Sequence, residues 1–169
     1  MLLALAALVS APQQATTPAP QLLRWAETTE SLVAEPGDQF GHTLAGGGDR
    51  AVVNAWQRAG GGGADVLRWT GNGLVHEATL TPAGLTPGAM CGITVDINDT
   101  GDVAVLASQG DDTNGSNAGA VHVFRRQGTQ WTEEAKLLAP DGAASERFGG
   151  AVAVGEVGVV IGAPGVVVA

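Results

Sequence analysis

The sequence predicts an all-β chain assembled from repeated four-stranded antiparallel units. Three observations predict it. The apolar residues make up 44% of the chain and are mostly Val, Ala and Leu, in short runs broken by Gly, Asp, Asn and Pro. That texture belongs to many short strands rather than to long helices. An aromatic–glycine pair opens such a run at Phe40-Gly41 and again at Phe148-Gly149, and Met90-Cys91-Gly92 stands at the corresponding place between them. Finally, each opening is followed by a run, a tight turn and a second run, with Phe40, Met90 and Phe148 lying 50 and 58 residues apart. Self-similarity at that period is the mark of a repeat architecture.

The elements follow in order. Residues 2–9 form an unbroken apolar run, too short to span a bilayer as a helix, and leave through Ser10-Ala11 and Pro12-Gln13-Gln14-Ala15. Length and small-residue exit match a secretory signal peptide over residues 1–15, cleaved near Ala11 or Ala15, although no Lys or Arg precedes the run. A core segment at an arbitrary start is the alternative. Residues 16–30 are a Pro/Thr linker or a remnant strand, with short strands expected at 21–25 and 31–34 and a turn at Glu35-Pro36-Gly37-Asp38.

The first repeat, 31–85, then runs from Phe40 to a turn at 46–49 and a second strand over 51–55. A glycine loop at 60–63 leads to a third strand over 64–69. Thr70-Gly71-Asn72-Gly73 is a hairpin signal, and a fourth strand covers 74–80. The second repeat, 86–142, repeats the plan in degenerate form, with Leu106-Ala107-Ser108 ending its second strand and a polar loop over 109–117. The third, 143–169, is expected to break off after two strands, the second ending in Gly162-Ala163-Pro164-Gly165. Proline cannot continue a hydrogen-bonded ladder, so the chain must leave the sheet there. Four strands per period, ordered as a meander, predict blades of a β-propeller: two, plus the start of a third, forming a fragment of a larger array.

Composition narrows the function. A formal charge of −9 with only eight basic residues repels a phosphate backbone and anionic membrane surfaces, which excludes nucleic acid and membrane insertion as expected partners. One cysteine, Cys91, precludes an intramolecular disulfide, and its apolar–glycine context suits a buried small side chain. The histidines His42, His76 and His122 are isolated and offer no zinc spacing, and the serines offer no nucleophile elbow.

Phe40-Gly41, Phe148-Gly149 with Gly162-Ala163-Pro164, the weaker Asn54-Ala55-Trp56, and the run Ala118-Gly119-Ala120-Val121-His122-Val123-Phe124 together resemble the FG-GAP repeat family, whose best-known members form the β-propeller head of integrin α subunits. The resemblance covers roughly residues 31–165. It implies a non-enzymatic, secreted or cell-surface module for protein binding, adhesion or scaffolding, with a protein or matrix-like ligand and further blades in the same or another chain. A secreted hydrolase or lyase working at a propeller face is one alternative, and a purely structural calcium-dependent repeat is another.

The resemblance also implies calcium as the one cofactor to consider, in a loop between the first two strands of a repeat. Asp96, Asn98, Thr100 and Asp102 fall at that place, with Gly101 permitting the turn, and Asn98-Asp99-Thr100-Gly101 reads equally as a plain β-turn. Asp111, Asp112 and Asn114 in the polar loop could contact a partner, or serve only as a solvated connection. Trp56, beside the glycine loop, could stack on a ligand, whereas Trp69 and Trp131 are expected to fill the space between blades.

Overall fold

The computed structural model describes residues 34–166. Ten strands and no helix occur among them: β1 (Phe40–Gly47), β2 (Arg50–Ala55), β3 (Ala64–Trp69), β4 (Leu74–Leu80), β5 (Cys91–Ile97), β6 (Val103–Ser108), β7 (Ala120–Gln127), β8 (Gln130–Leu137), β9 (Ala151–Gly155) and β10 (Gly158–Gly162). They form two four-stranded antiparallel meanders, β1-β2-β3-β4 and β5-β6-β7-β8, and a two-stranded third sheet, β9-β10. This is the expected all-β arrangement of two propeller blades and the beginning of another. The signal peptide and the strands expected before residue 34 lie outside the described residues, and Ala34 itself is not in a strand.

The sheets pack face to face in series. The inner strand β5 lies against β1 and β2, and β9 lies against β5 and β6. Each contact buries its own apolar layer. Between the first two sheets, Val52, Ala64, Val66 and Leu80 meet Cys91, Val95, Ile97, Ala104, Leu106 and Phe124. Between the second and third, Val103, Val105, Ala107, Val121 and Val123 meet Phe148, Val152, Val154, Val159 and Ile161. A single twisted sheet of four short strands cannot bury both faces alone, so each blade is stabilised by its neighbour.

The entry to each inner strand is the repeat's most constant feature. Gln39, Met90 and Arg147 sit in the left-handed region at φ 53°, 55° and 54°, and the glycines two positions on, Gly41, Gly92 and Gly149, have φ 80°, 84° and 95°. The residue between them is Phe40, Cys91 or Phe148. Cys91, not Met90, therefore occupies the aromatic position in the second repeat. Side-chain size drew the sequence reading to Met90, but the register follows the backbone, which the glycine fixes one residue later.

From this entry a short parallel bridge reaches back to the preceding blade, pairing Cys91 with Gly62 and Phe148 with Gly119. Cys91 donates its N–H to the Gly61 carbonyl at 2.8 Å and accepts from Gly63 at 2.9 Å, and Phe148 donates to Ala118 at 2.7 Å. Phe148 packs against the apolar layer of the second blade.

In the terminal motif, the Gly162 carbonyl closing β10 accepts the N–H groups of both Gly149 and Gly150, at 2.9 and 3.0 Å. The chain then leaves the sheet through Pro164. Among the tryptophans, Trp131 packs on the apolar layer between the first two sheets as expected. Trp69 does not: it is 46% exposed at the end of β3, because no neighbouring sheet covers that side of the first blade among the described residues.

These contacts yield a paired test. Gly62 has φ 101°, and a Cβ there would overlap the Cys91 carbonyl, whereas Gly71 in the β3–β4 hairpin has φ 87° with open space around it. Gly62→Ala is expected to destabilise the fold by more than about 3 kcal/mol and Gly71→Ala by only about 1 kcal/mol, as read by urea denaturation, since only the first adds a backbone clash to the left-handed strain.

Candidate functional site

The residues singled out as candidates divide between the two ends of the sheets. In a meander, the turns joining first to second strands and third to fourth strands share one end, and the remaining connections share the other. The Asn98–Asp102 turn therefore lies at one end, and Trp56 and the 109–117 loop lie together at the opposite one.

At the first end, the structure brings Asn98, Thr100 and Asp102 together. The buried Asn98 amide accepts the N–H groups of Asp102 and Val103 through Oδ1, at 3.0 and 2.9 Å. Its Nδ2 donates to Thr100 Oγ1 and to Asp102 Oδ1, each at 2.8 Å, and the Thr100 hydroxyl donates to the same carboxylate oxygen at 2.7 Å. These hydrogen bonds from Thr100 and Asn98 hold the Asp102 carboxyl below its usual range. Asp96 is not part of this knot. Its Oδ2 accepts the Val154 N–H at 2.7 Å, tying β5 to β9 across the blade boundary.

The turn is built for hydrogen bonding. To offer oxygens to a calcium ion, Asn98 would have to rotate its amide and release two backbone N–H groups, so the donor set as arranged does not fit the ion. One flank of this turn touches Gly47 and Gly48 of the first blade so closely that no Cβ could be accommodated there. The other flank opens on a cleft towards the β9–β10 turn, lined by Val123, Arg125, Val154 and Glu156 among others.

At the opposite end, the 109–117 loop is braced from within and from the next blade. Asp111 Oδ2 accepts from Lys136 Nζ at 2.8 Å, and Oδ1 accepts the Thr113 N–H at 3.0 Å. Burial works to raise the Asp111 pKa, but the hydrogen bonds from Lys136 and Thr113 outweigh it and the net displacement is downward. Asp112 Oδ1 accepts the Asn117 N–H at 2.7 Å, and Asn114 Nδ2 donates to the Ala139 carbonyl at 2.8 Å. Ser145 N–H reaches back to the Ser116 carbonyl at 2.8 Å. Trp56 lies on the equivalent loop of the first blade and is half-buried, its ring edge-on to His42 with centroids 6.4 Å apart. Its indole Nε1 is buried without a hydrogen-bond partner.

Cys91 is fully buried, and desolvation pushes its thiol up to about 12, so it carries no thiolate at neutral pH.

The most heavily coordinated ionic group is one that motif reading did not single out. Glu77, on the outer strand β4, is bound by three arginines and an indole: Arg50 Nε at 2.9 Å, Arg68 Nε at 3.2 Å, Arg126 Nε at 3.0 Å and Trp131 Nε1 at 2.9 Å. Two of these donors come from the first blade and two from the second. The Glu77 side chain is only 8% exposed. Burial alone would raise its pKa, but the hydrogen bonds from Arg50 and Trp131 and the charges of Arg50 and Arg126 bring it down to about 2. The recurrence of Glu-Ala-x-Leu at 77–80 and 134–137 was visible in the sequence, but nothing in it revealed that residues about fifty positions downstream would close over the first glutamate.

The sign of the pH dependence follows. A carboxylate whose folded pKa lies below its unfolded value stabilises the fold above the unfolded pKa and loses that contribution as pH falls through the folded one. Stability is therefore expected to decline between about pH 5 and pH 2 by on the order of 3 kcal/mol from Glu77. Glu77→Gln is expected to lower stability at pH 7 by about 3 kcal/mol and to flatten that acid limb, as followed by urea midpoints across pH. For the Asn98 turn, the melting temperature is expected to be indifferent to millimolar calcium, and a rise on adding the ion would show that the turn reorganises to bind it.

No curated protein matches the chain. The FG-GAP repeat family matches residues 74–124 and 131–167, together more than half of the sequence. The matched units are offset from the sheets by one strand, each opening on the outermost strand of one blade (β4 or β8) and running on into the next. The family unit thus spans a blade boundary, bridged at Cys91 in the first matched unit, where the Glu77 cluster also sits, and at Phe148 in the second, and the chain belongs to the FG-GAP repeat family.

Proposed function

We propose that this chain is a non-enzymatic β-propeller repeat module that is exported and binds a protein or matrix-like partner at the secreted or cell-surface stage, in adhesion or scaffolding. The observation that carries the reading is the 109–117 loop. Asp112, Thr113, Asn114, Ser116 and Asn117 are exposed, yet the loop's conformation is fixed by hydrogen bonds to Lys136 on β8 of the same sheet and to Ala139 and Ser145 in the connection to the next. A polar ridge that is ordered before a partner arrives avoids much of the entropy cost of binding.

Trp56, at the same end of the first blade, extends this surface. Membership of the FG-GAP family supports a binding or structural role for the module. Export rests on the apolar run at 2–9 and its small-residue exit. No helix among the described residues is long and apolar enough to cross a membrane.

Binding is tested with surface-immobilised extracellular proteins and purified full-length chain. Asp112→Asn keeps the oxygen that accepts the Asn117 N–H while removing the charge, and Ser116→Arg alters an exposed position. The pair is expected to weaken binding about tenfold with no change in melting temperature. Unchanged binding, or substrate turnover by the wild-type chain, would overturn the reading. Export is tested separately: a reporter joined after Ala15 is expected to be processed and released, and its retention inside the cell would remove the localisation.

A further inference from the structure

Three glycines follow a residue whose side chain can react with the glycine's own nitrogen: Asn72-Gly73, Asn114-Gly115 and Asp141-Gly142. A glycine has no Cβ to keep its backbone nitrogen away from the side-chain carbonyl carbon before it. Once that nitrogen gives up its proton to hydroxide, it can attack Cγ of the asparagine and expel the side-chain nitrogen as ammonia. The cyclic imide that forms is opened by water at either carbonyl, giving aspartate or isoaspartate. One water is consumed, one ammonia is released and one negative charge is gained. At Asp141 the same ring closure expels water instead. In each case the glycine N–H must be free of an acceptor and the side chain free to swing onto it.

Exposure does not separate the two asparagines, because Asn72 and Asn114 are both exposed. Hydrogen bonding does. Asn114 Nδ2 donates to the Ala139 carbonyl at 2.8 Å, and the Gly115 N–H donates to the Asp112 carbonyl at 3.1 Å. Leaving group and attacking nitrogen are thus both occupied. The Gly115 backbone is also seated against Ala144, whose nitrogen would lie 3.1 Å from a Cβ placed there. The Gly142 N–H likewise donates to the Ala139 carbonyl, at 3.1 Å.

The hairpin between β3 and β4 is different. The Gly73 carbonyl accepts from both the Thr70 N–H and the Thr70 hydroxyl, each at 3.0 Å. The reciprocal bond, from the Gly73 N–H to the Thr70 carbonyl, is not made, and residues 71–72 form an open bend rather than a closed turn. Neither the Gly73 N–H nor the Asn72 amide has a hydrogen-bond partner among the described residues. Gly71 beside them has φ 87° and open space where a side chain would stand.

We propose that Asn72 is a site of spontaneous deamidation in the folded protein, whereas Asn114 and Asp141 are held unreactive by their loops. The product adds a carboxylate to the hairpin that follows Arg68 and Trp69, and in its isoaspartate form it lengthens the hairpin backbone by one methylene. The polar ridge at 109–117 keeps its chemistry, and the proposal does not depend on whether that ridge binds a partner.

The test is incubation of the full-length protein in weakly alkaline buffer, with peptide mapping by mass spectrometry and enzymatic methylation of isoaspartate. Asn72 is expected to convert at least about tenfold faster than Asn114 or Asp141, since their glycine N–H groups must first be released by local opening. In urea the two asparagines are expected to convert at similar rates. Asn72→Gln is expected to remove the product and leave the melting temperature unchanged. The proposal is overturned by any of three results: no conversion at Asn72 in the folded chain, conversion of Asn114 or Asp141 as fast as Asn72, or a difference between the asparagines that persists in urea.

Discussion

The structure depends on the backbone contact at the entry to each inner strand. There the chain adopts a left-handed residue, then Phe40, Cys91 or Phe148, then a glycine of positive φ, and at the second and third entries it is bridged in parallel to the preceding blade. Glycine is required on both sides. A Cβ on Gly92 would overlap the Gly63 carbonyl, and one on Gly119 would overlap the Phe148 backbone. Side chains decide how well each gap is filled, but glycine decides that the gap can be as narrow as a backbone hydrogen bond. This explains how a cysteine can stand in for an aromatic residue: the register survives because Gly92 is retained, and the smaller side chain is accommodated by complete burial.

Around that contact, a few polar interactions join one blade to the next. Glu77 collects donors from two blades, Asp96 reaches from β5 to β9, and Glu133 Oε2 accepts the N–H of Ala83 in the connection between the first two sheets. The acid–base pairs on the third and fourth strands show the same interaction realised by different residues. In the first blade Asp65 on β3 faces His76 on β4, and in the second His122 on β7 faces Glu133 on β8, so that acid and imidazole have exchanged strands. What the repeat preserves is the cross-strand pairing, not the identity of either partner. His122 is buried, and desolvation holds its pKa below the ordinary imidazole range, which keeps it neutral inside the blade boundary.

Much of the architecture could be read in the sequence because glycine, proline and alternation act locally. The Thr70–Gly73 hairpin, the stop at Gly162-Ala163-Pro164 and the meander of four strands per repeat follow from turn chemistry and period. Two readings failed, each for its own reason. Met90 took the aromatic position because hydrophobic size was compared without the backbone conformation that sets the register. Trp69 was expected between blades because aromatic side chains mostly serve as buried packing, whereas its own side of the first blade has no neighbouring sheet among the described residues. For the candidate residues, the sequence placed Asn98, Thr100 and Asp102 in one turn but could not show that Asn98 Oδ1 is committed to backbone N–H groups.

The sequence by itself determined the all-β class, the repeat, its strand order and its family, because these are encoded in spacings of a few residues within each unit. Only the tertiary structure decided which groups meet across the blade boundary. The donors around Glu77 lie between nine and fifty-four residues away from it, and their convergence depends on how one twisted sheet lies against the next. Periodicity fixes each blade's own hydrogen-bond ladder, but the partner of a charge on its outer strand is chosen by packing between blades, which no local pattern records.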